Sequence, residues 1–140
     1  MKVLLLTLAA TAASPDTELS LGGIVLGQSE ASVVRTLGQP NSRTGERSDY
    51  LPVRLSYSGI TVLLDEQGVG GLISTGKRFC TPAGVCPGTP LAKAKQIYGP
   101  RWATEMVDGA PTGYVYGDGC WLEFSVKSGK VQTIEVACSP

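Results

Sequence analysis

Gly88-Thr89-Pro90-Leu91-Ala92-Lys93-Ala94-Lys95-Gln96-Ile97-Tyr98-Gly99-Pro100 is the stretch that decides how the chain is read. Thr89 followed by Pro90 is a helix-start signal: Thr caps, and the missing Pro N–H is harmless at the first helical position. Leu91, Ala94 and Tyr98 then fall on one helical face. Gly99 and Pro100 end the helix. Sixty-one residues upstream stands a second copy, Gly27-Gln28-Ser29-Glu30-Ala31-Ser32-Val33-Val34-Arg35-Thr36-Leu37-Gly38-Gln39-Pro40. Its helix is expected over Ser29–Leu37. Ser29 is the N-cap, Val33 and Leu37 share a face, and Gly38 and Pro40 close the element.

Working outward, the first helix is followed by a polar loop, Asn41 to Asp49, with no periodicity. Val53–Tyr57 alternates like a strand, Ile60–Leu64 reads as a more buried one, and Gly68 turns the chain into Val69–Ser74. After the second helix, Trp102–Val107 and Tyr114–Tyr116 are strand candidates separated by Asp108-Gly109-Ala110-Pro111. Cys120–Val126 and Val131–Cys138 are joined at Lys127-Ser128-Gly129-Lys130. Tyr57-Ser58-Gly59 matches Tyr116-Gly117-Asp118-Gly119, Gly68 matches Gly129, and Ile73 matches Ile134. The expected fold class is therefore α+β. A helix plus three antiparallel strands is repeated in tandem, over residues 20–75 and 87–138 of a single domain spanning 20–140. One copy is too small to bury a good core alone. Two copies can share one antiparallel sheet with both helices on one face.

Composition excludes several functions. The chain has 140 residues, with Lys+Arg and Asp+Glu balanced at 12 each. No basic excess exists to hold a nucleic-acid backbone or an anionic membrane surface. There is no His, which removes Ser–His and Cys–His nucleophilic machinery and His-ligated metals. Gly68-Val69-Gly70-Gly71 lacks the Lys-Ser/Thr ending and following helix of a phosphate loop. Asp65-Glu66 and Asp118 fall at turns and serve turn geometry.

Residues 1–13 read as an export signal: Lys2, an apolar run Val3 to Leu8, then the small residues Ala10 to Ala13. The alternative is a buried N-terminal strand or helix. The apolar run is too short to cross a membrane, and no Cys follows it for lipid attachment, so no membrane anchor is expected. Residues 14–19 read as a flexible leader. The expected location is periplasmic or secreted.

All four cysteines, Cys80, Cys86, Cys120 and Cys138, lie beyond the signal, and an even number in an exported chain reads as two disulfides. Strand register helps to pair them. Setting Cys120 opposite Cys138 puts Leu122 opposite Val136 and Phe124 opposite Ile134. A slip of one residue sets Leu122 against Glu135 and Phe124 against Thr133. Only the first register keeps apolar residues together. It supports Cys120–Cys138 and, by elimination, Cys80–Cys86. The Cys80–Cys86 spacing also suits a metal, but no second pair stands nearby.

That register places Trp121, Glu123 and Glu135 on the face away from the Leu122–Phe124 core. Trp121 is either an aromatic anchor for a protein partner or a side chain covered by a loop or the leader. Glu123 opposite Glu135 is an unfavourable like-charge pair unless a cation, Lys127 or a partner's basic group answers it. The plain alternative is two solvated carboxylates splayed apart. Two carboxylates also suit a hydrolase, but no cleft is evident. The functional expectation is a non-enzymatic binding protein whose partner is another extracytoplasmic protein. A small-ligand or cation binder using the acidic residues is the alternative, and a hydrolase the least favoured. No metal and no cofactor is expected.

The paired segments resemble the β-lactamase-inhibitory-protein-like fold, shared with small bacterial outer-membrane-assembly lipoproteins. The carrying residues are Leu26-Gly27-Gln28-Ser29, Val33-Val34, Leu37-Gly38-Gln39-Pro40, and Tyr57-Ser58-Gly59 leading to Gly68 and Ile73. The second set is Pro87-Gly88-Thr89, Tyr98-Gly99, and Gly119 to Ile134. The resemblance covers about residues 20–138. It implies an extracytoplasmic, non-enzymatic protein binder with the uncovered sheet face as contact surface. The chain departs from the lipoproteins in lacking a lipidated Cys. It also has fewer aromatics than a dedicated inhibitor implies.

Overall fold

A computed structural model describes residues 18–45 and 50–140. The expected signal at 1–13 and residues 14–17 of the expected leader lie outside the described residues. Leu19, the last residue of that leader, is 2% exposed and belongs to the core.

The chain opens with a short ribbon, β1 (Ser20–Leu21) and β2 (Ile24–Val25), then α1 (Glu30–Leu37). Four strands follow: β3 (Ser42–Gly45), β4 (Val53–Tyr57), β5 (Ile60–Asp65) and β6 (Gly68–Ser74). After a disulfide-closed loop come α2 (Leu91–Tyr98), a 3-10 turn (Gly99–Arg101), β7 (Trp102–Val107), β8 (Ala110–Tyr116), β9 (Cys120–Lys127) and β10 (Lys130–Cys138). β3 to β10 form one antiparallel sheet in the order β3-β4-β5-β6-β10-β9-β8-β7. The last strand of each half meets the other at the centre, with Ile134 opposite Ser74 and Val136 opposite Leu72.

Period-two burial fixes the two faces. Ile60, Val62 and Leu64 on β5, Leu122 and Phe124 on β9, and Ile134 and Val136 on β10 are all at most 2% exposed. Ser29 caps α1 by accepting the Ser32 N–H at 3.1 Å. Gly38, at φ 85°, ends it with its N–H on the Val34 carbonyl at 2.8 Å. Both features follow the local reading.

The repeat of a helix plus three strands, with two helices as the covering layer, is not what the chain builds. The molecule is mostly β, and each half contributes four strands to the sheet. β3 escaped notice because it is an edge strand with every residue exposed. Such a strand buries no side chain and leaves no apolar alternation. The helices are also minor contributors to the core: α1 buries only Val33, and α2 only Ala94 and Tyr98. Leu19, Leu21 and Ile24 around the ribbon, with Phe79 and Val85 of the disulfide loop, complete the same buried cluster. Phe79 fits a slot with Gly22, Gly59 and Gly76 around its ring, and a Cβ on Gly22 would fall 2.5 Å from Phe79 Cδ1.

The residue correspondence between the halves fails by parity. Ile134 is fully buried, whereas Ile73 pairs with Glu135 on the opposite face. Tyr57 reaches back to donate to the Gly38 carbonyl at 2.8 Å, while Tyr116 points to the other face and bonds Glu105. The start of α2 also differs. Pro90, not Thr89, is its N-cap and makes no side-chain cap bond. Thr89 Oγ1 instead accepts the Cys86 N–H at 2.9 Å, bracing the disulfide loop.

Candidate functional site: the open sheet face

The β9–β10 register is the one that sorts the side chains. Cys138 lies opposite Cys120, Val136 opposite Leu122, and Ile134 opposite Phe124. Both expected disulfides, Cys80–Cys86 and Cys120–Cys138, are formed. Two closed disulfides are compatible with an exported chain in an oxidising compartment.

Trp121, Glu123 and Glu135 are accordingly carried on the face away from the core, and each is half-buried. Glu123 and Glu135 are direct cross-strand partners, and Trp121 lies between Ala137 on β10 and Tyr116 on β8. On the first half of the sheet this face is partly covered. Leu51 lies over β6, where a Cβ on Gly70 would come within 2.5 Å of its Cδ2. Tyr50 extends its hydroxyl to the Ser139 carbonyl at 3.4 Å. The open area is thereby narrowed to β7–β10.

Two tyrosines and a third glutamate lie on the same face; Tyr116 is exposed, whereas Tyr114 is buried at 7% exposure. Tyr114 donates to Glu123 Oε1 at 2.7 Å, and Tyr116 donates to Glu105 Oε1 at 2.8 Å. Their rings stack nearly parallel, 5.5 Å apart. The hydrogen bond to the Glu123 carboxylate, with burial, pushes the Tyr114 hydroxyl up to about 12. Burial, reinforced by the Glu123 charge, raises Glu135 above the ordinary carboxylate range. Next along the strands, the Ser125 and Thr133 hydroxyls bond each other.

The sequence reading missed Tyr114, Tyr116 and Glu105. The β8–β9 hairpin carries the signal for the two tyrosines, and the β7–β8 hairpin, with Glu105 opposite Thr112, the signal for Glu105. The β8–β9 register puts Tyr114 opposite Glu123 and Tyr116 opposite Trp121, with Gly113 and Val115 facing the core strand. Lys127, offered as an answer to the glutamates, is instead opposite Lys130 at the turn. Among the described residues the one ion pair is Arg43 with Glu30 at 2.8 Å, on the helix side of the sheet. No group of three or more acidic, Cys or His side chains is gathered to hold a metal among those residues. Asp65 serves its turn as expected, accepting the Gln67 N–H at 2.7 Å. What this face offers is a flat, acidic surface with stacked aromatic rings.

The fold is mostly β, one eight-stranded antiparallel sheet with a separate two-stranded ribbon. No protein-family model matches the chain, and no match to a curated protein was found. Among solved structures it is similar to an extracellular protein containing an SCP domain from Bacillus anthracis. That match has 9% identity and a TM-score of 0.58 over 81% of this chain and 44% of that one. It is also similar to a cysteine-rich secretory protein from Staphylococcus aureus, with 12% identity and a TM-score of 0.57, again over 81% and 44%. The chain spans less than half the length of those two proteins, and at these identities the likeness is one of fold.

Proposed function

We propose that this is an exported, disulfide-stabilised, non-enzymatic binding protein that contacts another extracytoplasmic protein through the open face of β7–β10. The observation that carries the reading is the directly opposed Glu123–Glu135 pair. It sits on an uncovered face beside Trp121 and the stacked tyrosines, with no ion-pair partner among the described residues. Opposed like charges on a sheet are unfavourable by themselves. A basic side chain from a partner would relieve them, and flanking aromatics supply rigid apolar contact at low entropic cost. The resemblance to β-lactamase-inhibitory-protein-like proteins belongs to this proposal, since it implies the same uncovered face as the contact surface. The two disulfides favour the periplasm or the extracellular medium as the working compartment.

The test is an affinity capture from envelope extract and culture fluid, run in parallel with wild type, Trp121→Ala and Glu123→Gln/Glu135→Gln. A partner recovered by wild type and lost from both variants is the expected result. A partner retained equally by all three forms refutes the assignment to this face.

A further inference from the structure

We propose a second binding site: a phosphoryl-anion pocket at the β9–β10 turn, built around Lys77, Lys127 and Lys130. A shallow cavity of about 360 Å³ lies there, lined by these three lysines with Ser128, Gly88 and Gln132 among others, and by no carboxylate. The volume is near the lower end for small-molecule sites, roughly 300–1,000 Å³. The chain as a whole is charge-balanced, so three lysines lining one concavity without a carboxylate are a local departure.

The backbone holds the lysines there. Ser128 and Gly129 both have positive φ, 53° and 74°, as a tight two-residue hairpin turn requires. That turn sets Lys127 directly opposite Lys130, a like-charge cross-strand pair. The segment before α2 clamps it further. Leu91 N–H donates to the Gly129 carbonyl at 2.9 Å, Val131 N–H to the Thr89 carbonyl at 2.8 Å, and Gly88 N–H to the Val131 carbonyl at 2.7 Å. Lys77 arrives from the loop after β6, with its stem laid against Gly88: a Cβ there would lie 3.5 Å from Lys77 Cε. None of the three lysines has an ion-pair partner among the described residues. A clamped turn that holds like charges together around a concavity is complementary to a compact, multiply charged oxyanion. Lysines meet phosphate as point charges, without the planar fork that carboxylate recognition favours. The same chemistry is presented by a free phosphorylated small molecule and by a phosphomonoester lipid headgroup.

The experiment titrates the whole protein with inorganic pyrophosphate at constant ionic strength, following backbone amide resonances. Vesicles of phosphatidylcholine with and without phosphatidic acid form a second arm. Lys77→Gln/Lys130→Gln is the test variant. Lys93→Gln/Lys95→Gln, on α2 and outside the pocket, carries the same charge change as a control. The expected result is saturable binding with shifts concentrated at Gly88, Ser128 and Gly129. Affinity falls about tenfold or more in the test variant and is kept in the control. Binding to doped vesicles alone, lost in the same variant, supports the site and identifies the headgroup as its source. Absence of binding in both arms, or binding that both variants weaken equally, overturns the proposal.

Discussion

Gly113→Ala puts the packing of the second half to a sharp test. Gly113 lies on β8 opposite Phe124, and the Trp102 indole packs directly over it. A Cβ at 113 would fall 2.0 Å from Trp102 Cζ2, 2.3 Å from Cη2 and 2.7 Å from Cε2. Carbon contacts relax at roughly 3.5–4.0 Å, so the ring must retreat by about 1.5–2 Å. It would then leave Phe124, whose ring centroid is 4.8 Å away, and a contact of that kind contributes about 0.5–1.5 kcal/mol. Overpacking adds about 1–3 kcal/mol, and the favourable change from Gly to Ala in a strand returns about 0.5–1 kcal/mol. The net expectation is a loss of about 0.5–4 kcal/mol. Urea unfolding followed by circular dichroism reads it as a lower midpoint at unchanged slope. The physical cause is separable by a double-mutant cycle. In a Trp102→Ala background the obstacle is gone, and Gly113→Ala becomes neutral or mildly stabilising. A loss under about 0.5 kcal/mol in the parent, or an equal loss in both backgrounds, refutes the reasoning.

Two further perturbations follow from the hairpin. Burial and the Glu123 charge raise the folded-state pKa of Glu135 above 4.5, so its contribution to stability is fully present below about pH 4.5 and lost as pH rises through the folded value. Glu135→Gln is therefore more stable than the parent at neutral pH, by a few tenths up to about 1 kcal/mol. The gap closes in acid, and melting curves across pH read the convergence. Removing the Cys120–Cys138 disulfide, which spans 18 residues, by paired Ser substitutions costs about 3 kcal/mol. Denaturant midpoints measure that loss, and reductant added to the parent reproduces it.

Legibility followed the strength of local signals. The boundaries of α1, β4 and β7 and the β9–β10 register could be read from caps, alternation and apolar sorting, because each leaves a period in the sequence. β3 could not, since Ser42–Gly45 contributes only backbone bonds at a sheet edge. Nor could the ribbon before α1. Its strands are two residues each and too short to show a period, and Leu19, Leu21 and Ile24 are buried by tertiary contact. The tandem duplication expected from the sequence does not hold. Gly68 and Gly129 do serve hairpin turns in the two halves, but bulges at Leu63/Leu64 and Val131/Thr133 shift register independently. A fixed offset therefore aligned Ile73 with Ile134 across opposite faces. At the candidate site, Trp121, Glu123 and Glu135 were located from one hairpin. Their tyrosine neighbours required a second hairpin, whose Gly117-Asp118-Gly119 turn was legible but unused.

The acidic, aromatic face of β7–β10 is the surface proposed to meet a partner. A photo-crosslinking residue placed at Tyr116, which is 49% exposed on that face, tests it in the native compartment. The same probe at Ala31, exposed on α1, reports on the opposite side. The expected result is a discrete cross-linked protein from position 116 that disappears with Glu123→Gln/Glu135→Gln, and none from position 31. An adduct from position 31 alone, or one from 116 that survives the double substitution, would contradict it.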